Sequence, residues 1–124
     1  MFKLRYTAIQ VRDLEKSISF YTKVLGMQLT HRAKVPETNG EFATVRSPDS
    51  DHYIEINWYE GQEVHSGDEL DHIAFEVDDL DSTVTQLASI GVKTVTITIE
   101  SPNSKWTYIK DPDGIWIELF QKKA

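Results

Sequence analysis

Three ionisable side chains stand out because of the company they keep. In "HYIEINW" (52–58) Glu55 interrupts a run of Ile, Tyr and Trp, and in "GIWIELFQ" (114–121) Glu118 does the same between Ile117 and Leu119. A carboxylate taken out of water without a partner costs many kcal/mol, so such a group is paired, protonated or metal-bound. His72 opens a third strand-like run, "HIAFEV" (72–77). One imidazole and two carboxylates facing one cavity supply the nitrogen and oxygen donors that suit Mn, Fe, Co, Ni or Zn. The competing reading is a metal-free polar cluster, with Glu paired to a protonated His or one proton shared between the carboxylates.

The elements that must position these groups occur twice. "YTAIQVRDLEKSI", starting at Tyr6, aligns with "HIAFEVDDLDSTV", starting at His72, so that Ala8 meets Ala74, Val11 meets Val77, Asp13 meets Asp79 and Leu14 meets Leu80. In the first copy Leu14, Ile18, Tyr21 and Leu25 recur at the helical period, with Asp13 as N-cap and Gly26 just past the end. Leu80, Val84, Leu87 and Ile90 repeat the pattern between Asp79 and Gly91. Strand-like segments follow each helix, at 27–33, 41–47 and 52–58 and again at 92–99, 105–110 and 115–121. Each half therefore reads strand, helix and three strands, an α+β module too small to bury its sheet alone. Module one spans 1–60, a polar link 61–69, and module two 70–124, together forming one domain.

Strand alternation sorts the side chains by face. Thr7, Ile9 and Val11 form the helix-packed set, leaving Tyr6, Ala8 and Gln10 on the other side. Glu55 then shares its face with Tyr53 and Asn57, and Glu118 with Trp116 and Phe120. The repeat equates Tyr6 with His72 and Glu55 with Glu118, and a pseudo-twofold axis between the halves would make these four converge. Tyr6, Gln10, Tyr53, Asn57, Trp106 and Trp116 are the candidate substrate-binding residues. His31, His52 and His65 read as surface histidines at strand ends or in the link. The acids at 78, 79 and 81 belong to a helix start rather than a calcium loop.

Composition narrows the function classes. With 124 residues, 40% hydrophobic and 27% charged, the chain is an ordinary globular domain. A formal charge of −7 argues against a nucleic-acid partner, and the absence of cysteine removes disulfides, thiolate metal sites and cysteine nucleophiles together. No apolar run approaches a membrane span and no leader pattern is present, so the expected location is cytoplasmic, without membrane association.

On "VRDLEKSISFYTKVLGM", "YIEINW", "DHIAFEVDD" and "DPDGIWIEL" the chain resembles the vicinal oxygen chelate superfamily of glyoxalases, bleomycin-resistance proteins and extradiol dioxygenases, and most of all the short bacterial glyoxalase I (lactoylglutathione lyase) group. The resemblance implies a glyoxalase-like fold: two tandem βαβββ modules whose curved mixed sheets enclose a metal cavity. It also implies four ligand positions, of which Glu55, His72 and Glu118 match and Tyr6 stands where a His is expected. A neutral phenol is a poor ligand, with an unperturbed pKa near 10. Gln10 stands where an Arg for glutathione is common.

Two functions from different classes follow. In the first, one divalent transition metal per site binds both oxygens of a small 2-oxo or hemithioacetal substrate and stabilises an enediolate. By resemblance Glu118 is the base and Glu55 a ligand or second acid, a glyoxalase I-like lyase or isomerase. In the second, an acidic cavity lined by Tyr6, Tyr53, Trp106 and Trp116 sequesters a planar or cationic small molecule without catalysis, as bleomycin-resistance proteins do. Dioxygenase chemistry ranks third, because its iron sites use two His and one carboxylate. Either way, a homodimer is the expected assembly.

Overall fold

Alternating β-branched residues and capped helices build the same pattern twice in the computed structural model, which describes residues 1–65, 67 and 69–123. The chain divides into two units, Met1–His65 and Ser66–Ala124. The first contains β1 (Tyr6–Gln10), α1 (Leu14–Ser19), β2 (Gln28–Val35), β3 (Gly40–Arg46) and β4 (Tyr53–Tyr59). Its four strands lie in the order β1-β4-β3-β2, with β1 parallel to β4 and the remaining pairs antiparallel. The second contains β5 (Ile73–Glu76), α2 (Leu80–Ser89), β6 (Ile99–Glu100), β7 (Ser104–Lys110) and β8 (Trp116–Lys122), in the order β5-β8-β7-β6 with β5 parallel to β8. Among the described residues no helix is long and apolar enough to cross a membrane.

In the first unit the expected helix-packed set is the core. Ile9, Val11, Ala43, Val45, Ile54 and Ile56 are buried, together with Leu14, Ile18 and Tyr21 from the helix. Asp13 caps α1 by accepting a hydrogen bond from the Lys16 N–H at 3.1 Å, which satisfies one of the helix's orphan donors. Beyond Ser19 the helix does not keep its 3.6-residue period. Phe20–Val24 form a wider π-type turn, closed by the Leu25 N–H to Phe20 O bond of 3.1 Å. The extra residue brings two successive rings, Phe20 and Tyr21, into the core, edge to face at 5.2 Å.

The connection between the strands expected at 27–33 and 41–47 is shorter than that spacing suggests. Lys34 and Val35 extend β2, and a tight turn over Pro36–Thr38 with Asn39 at φ 52° feeds β3. Gly40 is required there by space: a Cβ would lie 2.9 Å from the carbonyl oxygen of Trp58. His31 lies within β2, not at a strand end, and His52 is half-buried with its Nε2 2.9 Å from the Thr7 hydroxyl.

The second unit repeats the design with one departure. Asp79 caps α2 through the Ser82 N–H at 3.0 Å, and the Leu80 N–H donates to Gln121 Oε1 at 2.6 Å, tying the helix start to β8. Leu80, Ile109, Ile117 and Leu119 form the core. The strand expected over 92–99 contracts to Ile99–Glu100. The Val95 N–H bonds Tyr108 O at 2.8 Å, two residues out of step with the Ile99–Trp106 pairing, so a continuous ladder is broken despite strong β-propensity. "DPDG" folds as an Asx-type turn: buried Asp111 accepts from the Asp113 and Ile115 N–H groups, each at 2.8 Å, and Gly114 takes φ 89°.

Candidate functional site

Each sheet keeps one face for its helix and presents another lined by the candidate residues. On the first sheet the register sets Tyr6 beside Tyr53 and Tyr53 beside Arg46, Ala8 beside Glu55 and Glu55 beside Thr44, then Gln10 beside Asn57 and Asn57 beside Phe42. The rings of Tyr6 and Tyr53 stack at 5.0 Å with 17° between their planes. Glu55 is half-buried, not fully buried, and accepts from Asn57 Nδ2 at 3.1 Å. That hydrogen bond is the local answer to a carboxylate in an apolar strand. Gln10 donates to Gln62 Oε1 at 3.2 Å.

The second sheet carries the corresponding rows. Ala74 pairs with Glu118 and Glu118 with Tyr108, while Trp116 pairs with Lys110. His72 immediately precedes β5. Its Nδ1 lies 2.6 Å from Asp71 Oδ1 and its Nε2 3.8 Å from Glu118 Oε2. Glu118 retains 18% side-chain exposure, again short of full burial. Tyr108 donates its hydroxyl to Glu118 Oε1 at 3.4 Å, and its ring meets His72 at 5.6 Å and Trp116 at 5.3 Å. Burial, followed by the Glu118 charge, holds the Tyr108 hydroxyl above its ordinary pKa, so it stays a donor at neutral pH. Trp116 is exposed, with Lys110 Nζ 5.5 Å from its ring centre, and Trp106 lies on the same face of β7 as Tyr108.

The structure thus brings His72 and Glu118 together, and Tyr6 with Tyr53, and Asn57 with Glu55. Among the described residues no three His, Asp or Glu side chains gather into a ready metal cluster. Sequence reasoning missed Tyr108 and Asp71. Tyr108 alternates with Trp106 and Lys110 and occupies the place that Thr44 holds beside Glu55, so the repeat contained its signal. Asp71 had only its adjacency to His72.

The second unit's donor pair suits a divalent ion. Metal bonds of about 2.0–2.2 Å from each of two ligands allow N and O atoms to stand up to about 4 Å apart. An imidazole whose Nδ1 is engaged by a carboxylate has its Nε2 lone pair oriented for coordination.

Tandem βαβββ units of this strand order, each with a carboxylate on its last strand, define a two-module α+β class. The chain belongs to the glyoxalase/bleomycin resistance protein/dioxygenase superfamily, whose model matches residues 3–119. It is 36% identical to the uncharacterized protein YwbC of Bacillus subtilis, over 97% of this chain and 98% of that one. It is 34% identical to a probable lactoylglutathione lyase of Vibrio parahaemolyticus, over 98% of this chain and 91% of the relative. Among solved structures, the trypanothione-dependent glyoxalase I of Leishmania major superposes with a TM-score of 0.83 at 28% identity, covering 98% of this chain and 87% of that one.

Proposed function

We propose that this protein is a divalent-metal-dependent, glyoxalase I-like lyase or isomerase acting on a small 2-oxo or hemithioacetal substrate. The observation that carries the reading is His72, held by Asp71 at one ring nitrogen and turned toward Glu118 with the other. Similarity to lactoylglutathione lyases supports the reaction class. Glu55, His72 and Glu118 are the proposed metal ligands, for Ni, Zn, Mn, Fe or Co. When bound, such an ion acts as a Lewis acid that polarises a carbonyl and eases loss of the neighbouring C–H proton.

The chain's own side chains supply the rest. Glu118 takes that proton on a carboxylate oxygen and returns it to the adjacent carbon. Tyr108, donating to Oε1, holds the carboxylate in one orientation. Asp71 is a positioning residue that keeps the His72 ring in one orientation. Tyr6 is assigned to the ligand-facing wall rather than to the metal, because its ring is committed to the stack on Tyr53. Tyr53, Asn57, Gln10, Trp106 and Trp116 complete the proposed substrate contacts. The two modules are proposed to work as one domain, with 61–69 as link, in a cytoplasmic homodimer.

A second reading, sequestration of a small molecule without catalysis, is favoured by the Tyr6–Tyr53 stack, which offers an aromatic surface where the family resemblance places a ligand histidine. Elemental analysis after dialysis separates the two. About one transition metal per chain, lost in Glu118→Ala, supports the enzyme. Metal-free protein, even after loading with Ni, Zn, Mn or Fe, sinks it in favour of sequestration.

A further inference from the structure

The sheet faces differ in how they treat their cations. In register beside the aromatic residue at the start of β4 and of β8 stand Arg46 and Lys110, respectively. Lys110 is exposed and its ammonium lies over Trp116, so water and the ring face satisfy it. Arg46 is only half-exposed, and its Nε is the one buried side-chain polar atom among the described residues without a hydrogen-bond partner. A buried donor left unpaired is expensive, so the Nε–H calls for an acceptor from outside the described side chains, a water, an ion or a group of a bound molecule.

No carboxylate of the described residues answers it. Glu41, on the same strand, faces the helix side and is engaged by Arg32 at 2.6 Å. Glu55 is opposite Thr44, one row away, and takes its hydrogen bond from Asn57. The guanidinium therefore sits on the same face as Glu55 and in the same row as the Tyr6–Tyr53 stack, with a donor unspent.

We propose that Arg46 anchors a carboxylate group of the small molecule bound on this face, through the planar donor fork that matches a carboxylate edge to edge. This rests on the reading that the face carrying Glu55 lines the ligand site. It narrows the substrate class to organic acids, and it turns the sequestration alternative away from cationic ligands, which a neighbouring guanidinium repels.

The test uses the ¹⁵N-labelled full chain with benzoate and its neutral isostere benzamide as probes. Benzoate is expected to shift the Arg46 Nε–H resonance and benzamide to leave it in place. In Arg46→Met the affinity for benzoate falls about tenfold or more while that for benzamide is unchanged; Arg46→Lys, which keeps the charge but not the Nε donor, falls between. An Nε–H signal indifferent to benzoate, or an Arg46→Met protein binding both probes as the wild type does, overturns the proposal. The signal of the wild type decides even if neither variant folds. Metal content, measured on the same samples, tests the catalytic reading separately: benzoate selectivity in a metal-free protein would retain Arg46 as anchor and remove the lyase.

Discussion

The two sheets share a plan and differ in its use. Both set an alanine, a glutamate and a hydrogen-bonding residue side by side, Ala8–Glu55–Thr44 in one and Ala74–Glu118–Tyr108 in the other. In the second unit the glutamate is drawn into a polar cluster with His72 and Tyr108. In the first it is held by Asn57, and the position matching His72 is given to Tyr6, which packs on an aromatic neighbour instead. A duplicated scaffold thus sets its two glutamates in different company, one beside an imidazole and a phenol, the other beside an amide and a stacked pair of tyrosines.

The strongest way to break this contrast is to remove the imidazole. His72→Ala is expected to lower metal retention at least ~100-fold, since loss of a second-shell partner alone costs 10–100-fold and loss of a ligand costs more. Tyr6→Ala should leave metal content unchanged. Elemental analysis of both proteins after the same dialysis decides it; equal losses would mean that the first unit's Tyr6 is a ligand after all.

A second contrast lies in the hairpins that lead into the last strands. Asp111, 6% exposed, accepts two N–H groups in the β7–β8 turn, whereas the β3–β4 turn closes by a backbone bond from Ser50 to Ser47 at 3.2 Å. Asp111→Ala should cost about 2–4 kcal/mol, because two donors lose a charged acceptor. Ser50→Ala, which removes only its 3.2 Å side-chain bonds around His52, should cost about 1 kcal/mol or less. Urea denaturation of the two variants, compared at equal m-value, provides the measurement.

These outcomes bear on how much was legible in the sequence. Alternation of Ile and Val exposed the faces of β1, β4 and β8, and Asp-capped, Gly-terminated periods exposed both helices, because those signals are local. The contraction of 92–99 was not legible: Val, Thr and Ile promise a strand, but pairing depends on a register that a single segment does not encode. Nor was the wider turn at Phe20–Val24, where packing two adjacent rings overrides helical period. Within the site, the carboxylates were visible as charges in apolar runs, while their half-buried state and their partners Asn57 and Tyr108 emerge only from neighbours on other strands or two residues along the same strand.

A smaller effect sharpens the assignment of His72. Asp71→Asn keeps the size of the side chain but replaces a charged acceptor with a neutral one. Metal affinity should fall about tenfold, the Glu118 cluster remaining otherwise intact. Chelator competition measures the change; an affinity equal to the wild type would mean that Asp71 does not orient the ring.

The smallest expected effect tests the repeat itself. Asp13 and Asp79 cap α1 and α2 through the same side-chain acceptor, at 3.1 and 3.0 Å from the N–H three residues on. Asp13→Ala and Asp79→Ala should each cost about 1 kcal/mol. Each helix packs on its own sheet, so a cost confined to one variant would show that the two starts are not equivalent. The second helix offers a reason to look for such a difference: its Leu80 N–H is also held by Gln121 of β8, a tether that would restrain the helix start after Asp79 is lost. A smaller penalty for Asp79→Ala than for Asp13→Ala, read from denaturation midpoints, would therefore place the reinforcement in the unit that carries His72 and Glu118.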